Sequence, residues 1–301
     1  MAKRSKETVW ERRARVLAHA ISNGPVPLKT VQSMTRCSKA TVESDIRELQ
    51  SIGIPVASSG GKVVLPPLAL ESLWEGTDVG FRLRSTPSMM VKRRLGEATV
   101  DYLRDHNDPI KSIVFGSGVS AYETAECLFL RRHELHIEVV FTSSILVLLG
   151  FVYCDPKSMI LNLVGSQFDR ATAWLQGESK QLGDQSVDAV VVSFMHLSKE
   201  GFWTRQPYEV EEKVAHLKGI KSPLILIPIE WSKWADKYGN LVAPRGGSGE
   251  DAFDFKSGRK YVIISDIPDK PHDAKDKDRL AVLDFWRSKP GVEIVKVPCT
   301  E

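Results

Sequence analysis

The chain has 301 residues, 42% of them hydrophobic, and a formal net charge of +3, enough to bury a full core and to form one small and one larger domain. No apolar run reaches the length of a membrane span: the strongest, 145–152, is far too short and reads as a buried element, and the start lacks the apolar core of a signal peptide. Four cysteines, at 37, 127, 154 and 299, show no paired spacing of the metal-site or redox kind, so free thiols, a cytoplasmic location and no cofactor are expected.

From the start, Ala14, Leu17, Ala18 and Ile21 fall at helical spacing over 10–22, and Asn23-Gly24-Pro25 ends that helix. A second helix follows from about Pro27, with Leu28, Val31 and Met34 on its apolar face. The short turn Thr35-Arg36-Cys37 leads to a third helix, which Ser38 caps and Gly53 closes. Val42, Ile46 and Leu49 form its buried stripe, while Ser38, Lys39, Thr41, Ser44 and Arg47 point away and are donor types used on phosphates and base edges. Two β-type runs, 54–57 and 62–65, flank Ser58-Ser59-Gly60-Gly61 as a hairpin. Helix, turn, helix and hairpin predict a winged helix-turn-helix over 1–68, with a purely structural helical module as the alternative. Residues 1–60 hold ten Lys or Arg against five Asp or Glu, a basic head of net +5 on a body of net −2, which fits double-stranded DNA as a partner.

Pro66-Pro67 stops the hairpin, and 69–87 reads as a linker before a helix over 88–104, a candidate for part of an oligomer interface. The domain 88–301 then alternates strand and helix. Strands are expected at 113–115, 137–141, 160–164, 189–193, 224–228, 261–265 and 292–297, so the body reads as a mostly parallel, doubly wound α/β sheet. The glycine-rich stretch 238–258 reads as a poorly ordered surface insertion.

The loop after the first of these strands, Gly116-Ser117-Gly118-Val119-Ser120, is the candidate anion site. Its glycines let backbone amides approach a phosphate, its serines add hydroxyls, and a helix N-terminus follows; the alternative is a tight turn without a ligand. The dinucleotide fingerprint fails, because the next strand ends in Phe141-Thr142-Ser143-Ser144 rather than in a ribose-binding carboxylate. No Walker lysine follows either, so nucleotide hydrolysis has no support.

Nearly the whole length resembles the DeoR family of bacterial transcription regulators. The head carries that family's recognition-helix pattern at Ser38, Thr41, Val42, Asp45, Ile46 and Leu49. In the body, the Gly116 loop resembles its Asp-Ser-Gly-Thr-Thr loop, Thr142-Ser143-Ser144 its Thr-Asn-Ser turn, and Leu163-Val164-Gly165-Ser166 its double-glycine strand end. Glu209-Val210-Glu211-Glu212-Lys213 and Glu230-Trp231-Ser232-Lys233-Trp234 stand where the family has Glu-Ala-x-x-Lys and Asp-x-Ser-Lys-Phe. The resemblance implies a regulator, a repressor more often than an activator, whose α/β domain senses a phosphorylated sugar or similar metabolite. It assigns Gly116, Ser117, Gly118, Val119, Ser120, Thr142, Ser143, Glu209, Lys213 and Lys233 to the effector, and Ser38, Lys39, Thr41, Glu43, Ser44 and Arg47 to DNA. Paired half-sites make a homo-oligomer the expected state. The departures are Gly116 for an acidic residue, Ser143 for asparagine, Ser166 for glycine, and Glu43 and Ser44 where arginines are common.

Two other readings stay open. One is a sugar-phosphate isomerase-like or transferase-like enzyme fused to a helix-turn-helix, with Glu209 and Glu230 as candidate bases; the histidines are scattered and no nucleophile elbow occurs, so no enzymatic activity is expected. The other is a DNA-binding oligomer that has lost its ligand.

Overall fold

The computed structural model describes residues 9, 12, 13, 16, 26–51, 56–64, 86–154, 158–165, 167–169, 174–177, 182, 186–270 and 274–298. Most of the expected helix over 10–22, together with Gly53, Pro66-Pro67, the connector up to residue 85, Ser166 and Cys299, lies outside them.

The first elements are β1 (Val26–Pro27), α1 (Leu28–Thr35), α2 (Lys39–Ser51), β2 (Ala57–Ser59) and β3 (Lys62–Val64). The two helices meet through a turn in which Arg36 takes a left-handed conformation. The Ser38 hydroxyl accepts the Thr41 main-chain N–H at 3.2 Å, the expected cap of α2. Val42, Ile46 and Leu49 are buried, and so is Asp45, whose carboxylate binds Arg12 at 2.5 Å and Arg13 at 3.1 Å. The three strands form an antiparallel sheet in the order β1-β3-β2.

The body begins with α3 (Thr86–Arg104), two residues inside the expected linker. It continues through β4 (Ser112–Phe115), α4 (Val119–Leu130), β5 (Val139–Thr142), α5 (Ile145–Cys154), β6 (Ile160–Leu163), β7 (Gln167–Asp169) and β8 (Trp174–Gln176). Then come β9 (Ala189–Val191), β10 (His196–Ser198), β11 (Gly201–Thr204), α6 (Glu209–Val214), β12 (Leu224–Pro228), β13 (Asn240–Leu241), β14 (Lys260–Ser265), α7 (Ala274–Arg287) and β15 (Val292–Lys296). Seven strands make one parallel sheet in the order β15-β14-β12-β9-β4-β5-β6.

Alternation along these strands feeds two cores. Ile113, Phe115, Leu226, Val262 and Ile264 join Leu95, Leu128 and Phe129 on one face, whereas Val114, Val190, Ile225, Ile227 and Ile263 join Leu217, Val282 and Trp286 on the other. Burial on both faces is why these strands read as continuous apolar runs. Leu95, Thr99, Val100 and Leu103 of α3 are buried, so its apolar stripe is spent inside the body. At Gly96 the helix approaches α4 so closely that a Cβ would lie 3.0 Å from the Glu123 main chain.

The structure corrects the expectation for 238–258. β13 pairs with β11 in a small sheet with β10, Val242, Ala252 and Phe253 are buried, and Phe253 stacks on Phe255 and meets Tyr261 edge-on. Aromatic burial holds this stretch in place despite its glycines. A second addition is the β7–β8 hairpin beside the turn after β5, where Leu175 N–H reaches the Ser143 carbonyl at 2.8 Å. Among the described residues no helix is long and apolar enough to cross a membrane.

Candidate functional site

The chain leaves β4 toward β5 on one side and comes back to β9 on the other. The loops after β4 and β9 therefore diverge, leaving a crevice at the carboxyl ends of the strands, where open parallel sheets take ligands. The Gly116 loop occupies that switch point. Gly116 N–H is fixed to the Val191 carbonyl at 2.9 Å. The Ser117 carbonyl accepts the Ser193 hydroxyl and the Lys213 ammonium, each at 3.0 Å, and the Ser117 hydroxyl lies 3.1 Å from Lys213 Nζ. Gly118 is exposed with φ +112°, and any Cβ there would overlap the Ser193 hydroxyl. Val119 and Ser120 open α4, whose N-terminus has no side-chain cap.

Lys213 arrives on α6, which runs into a π-helical turn, Ala215–Gly219. That irregular turn sets the buried His216 ring against Gly116, where a Cβ would come within 3.0 Å of Cε1. A larger residue at 116 would have to displace the imidazole. Lys213 is 2% exposed and sits 5.8 Å from the Phe194 ring centre. A buried ammonium facing a glycine loop and an uncapped helix N-terminus favours an anion.

Around this centre, the Thr142 hydroxyl donates to the Phe115 carbonyl at 2.8 Å and accepts Ser144 N–H at 3.0 Å, locking the turn after β5 to β4. Ser143 is fully buried. Glu209 accepts the Thr204 hydroxyl, and Glu212 accepts Gly177 N–H at 3.0 Å, which ties α6 to the end of β8. Of the ten expected effector residues, the five of the loop and Lys213 come together, with Thr142 and Ser143 on the neighbouring strand end. Lys233 instead pairs with Glu230 at 2.9 Å.

That pair belongs to a second group. Glu230 also holds Lys92 of α3 at 3.2 Å, and both side chains are over nine-tenths buried. Burial holds the Lys92 amine below the ordinary lysine range, against the pull of Glu230. Glu123 of α4, 2% exposed, is pushed up to about 7 by burial and then by the Glu126 charge, with Arg93 and Lys92 acting the other way. Its Oε1 has no hydrogen-bond partner. Burial likewise raises Asp266, at the end of β14.

In the head, Ser38, Lys39, Ser44 and Arg47 are exposed on α2, and Thr41 and Glu43 are half-buried. Lys39 pairs with Glu43 at 3.6 Å, and the Ser38 and Thr41 hydroxyls lie 2.9 Å apart. Sequence reasoning missed Ser193, His216, Lys92 and Glu123. A carboxylate inside the apolar run 119–130 was the available signal for Glu123; nothing local marked His216, because a π turn leaves no periodic trace.

Neither a family model nor a curated protein matches the chain. Among solved structures it is similar to ribose 5-phosphate isomerase A of Methanocaldococcus jannaschii, with a TM-score of 0.34, 14% identity, and 50% of this chain and 56% of that one covered. The isomerase of Plasmodium falciparum gives 0.31 and 15% over 48% and 52%. The mitomycin 7-O-methyltransferase MmcR gives 0.29 and 11% over 95% and 84%. The chain thus spans just over half the length of the isomerases, and likenesses of this strength carry no argument about activity.

Proposed function

We propose that the chain is a DNA-binding transcription regulator, a repressor, whose α/β body takes a small phosphorylated metabolite at the switch point and thereby changes the DNA affinity of a winged helix-turn-helix head. The observation that carries this reading is Lys213, brought across 96 residues of sequence onto the Ser117 hydroxyl and carbonyl and buried there. The DeoR-like motif order supports it, as does the polar, short-chained face of α2 with Ser38, Lys39, Ser44 and Arg47 exposed. Two copies would be needed to read paired half-sites. The two carboxylates an enzyme reading relies on are engaged elsewhere, Glu209 by Thr204 and Glu230 by two lysines, which favours sensing over catalysis.

Selection of bound DNA fragments by the full chain tests the output, and titration of the selected complex with a panel of sugar phosphates tests the input. The expected result is an enriched operator whose affinity shifts with one class of compound. Lys213→Ala should keep operator affinity while weakening the compound by about ten- to a hundredfold, the range for a lost charged hydrogen bond. No enrichment of DNA, or turnover of the sugar phosphates, would overturn the proposal.

A further inference from the structure

Five of the seven tryptophans are described, and four of them donate their indole N–H within the chain. Trp203 donates to the Ser198 hydroxyl at 2.9 Å, Trp231 to Asp276 at 2.9 Å, Trp234 to the Ser265 hydroxyl at 3.1 Å and Trp286 to the Ser198 carbonyl at 2.8 Å. Trp174 is the exception. It is 0% exposed, yet its Nε1 has no hydrogen-bond partner. A buried donor left unmade is costly, and such a group in a folded chain is open to an acceptor supplied from outside.

Its position says where that acceptor would come from. Trp174 opens β8 and forms a β-bridge with Ser144, at the turn after β5, while Leu175 N–H holds the Ser143 carbonyl. At the other end, Gly177 N–H is bound by Glu212, the residue next to Lys213. The Trp174 ring faces that of Tyr208, at the start of α6, with 6.4 Å between centres and 28° between planes. Strand β8 is therefore strung between the turn beside the Gly116 loop and the helix that places Lys213, and Trp174, which opens it, belongs to neither apolar core.

We infer that the Trp174 indole N–H is a ligand-binding donor of the crevice. The ligand is then a bipartite molecule, with an anionic group for Lys213 and the Ser117 loop and a separate acceptor oxygen, hydroxyl or carboxylate, for Nε1. This rests on the reading of the crevice as a phosphorylated-metabolite site, and it adds a requirement that inorganic phosphate alone does not meet.

The test uses the full chain with 15N-labelled indoles, in which the cross-peak missing from Trp174→Phe identifies Trp174. Should that variant not fold, triple-resonance spectra of the wild-type chain make the assignment. Ribose 5-phosphate, a sugar phosphate with several free hydroxyls, should move the Trp174 indole proton downfield, whereas inorganic phosphate should bind in a Lys213-dependent manner and leave that proton in place. Trp174→Phe should weaken ribose 5-phosphate about tenfold, one neutral hydrogen bond, without weakening inorganic phosphate. An unmoved Trp174 peak while ribose 5-phosphate binds and Lys213→Ala abolishes that binding would overturn the Trp174 assignment and leave the crevice reading standing. Absence of binding by both probes would remove the crevice reading and this inference with it.

Discussion

The two ends of the seven-stranded sheet handle polar groups in opposite ways. At the amino-terminal ends of its strands, polar side chains are partly exposed and paired among themselves. Asp188 accepts the Lys111 and Ser112 main-chain N–H groups and the Ser112 hydroxyl, all within 2.9 Å. A cavity of about 500 Å³ opens there beside α3; of its lining, Asp101 is held by Arg131 from outside, and Glu293 by Tyr102 and Lys260. At the carboxyl-terminal ends the polar chemistry is far more desolvated: Ser117, Glu123, Thr142, Ser193, Lys213 and Glu230 are all buried. Burying such groups costs free energy that packing alone does not demand, and that cost is what recommends the buried polar end as the candidate site.

This contrast can be broken by experiment. The largest effect is expected for Glu230→Ala, which takes away the carboxylate that Lys92 and Lys233 share; it should cost about 3–5 kcal/mol in urea unfolding, and a loss below about 1 kcal/mol would show that the buried pair is not what holds this end. Next is Glu123. Its folded value of about 7 lies above the ordinary carboxyl value of 4.5, so the folded chain binds this proton more tightly than the unfolded one. Its contribution is full below pH 4.5 and is lost as pH rises through about 7, a swing of at most about 3 kcal/mol. Glu123→Gln should flatten that part of the stability profile, and an unchanged slope would show that Glu123 titrates as an ordinary surface carboxylate. Gly118→Ala should lower stability by about 2 kcal/mol through its positive φ and the Ser193 overlap, and a neutral result would mean that the loop readily rearranges. The smallest effect belongs to the amino-terminal end. Lys260→Met removes an ion pair whose partners are each more than one-third exposed, and thermal unfolding should register less than about 1 kcal/mol.

Much of this arrangement is readable in the sequence, for definite reasons. Strands such as Leu224–Pro228 are buried on both faces, so their apolar runs stand out without any partner being known. The helix Lys39–Ser51 is legible because Val42, Ile46 and Leu49 keep one stripe and Ser38 caps it. The strands His196–Ser198 and Gly201–Thr204 are short and mixed, and their partner lies beyond α6, so local pattern does not reveal them. Glycine content misled for 238–258, where Phe253 and Phe255 were the better guide. In the site, Gly116, Ser117 and Gly118 declare themselves, whereas Ser193, His216 and Trp174 gain meaning only when β9, the π turn and β8 converge on one crevice.

Gly96 has a mechanical consequence. With no side chain between them, α3 and α4 meet backbone to backbone at Glu123. The loop that would grip an anion runs into the first turn of α4, and α3 is the first helix of the body among the described residues. Any residue larger than glycine at 96 would therefore have to push α3 away from α4, and so from the helix that the Gly118 loop opens.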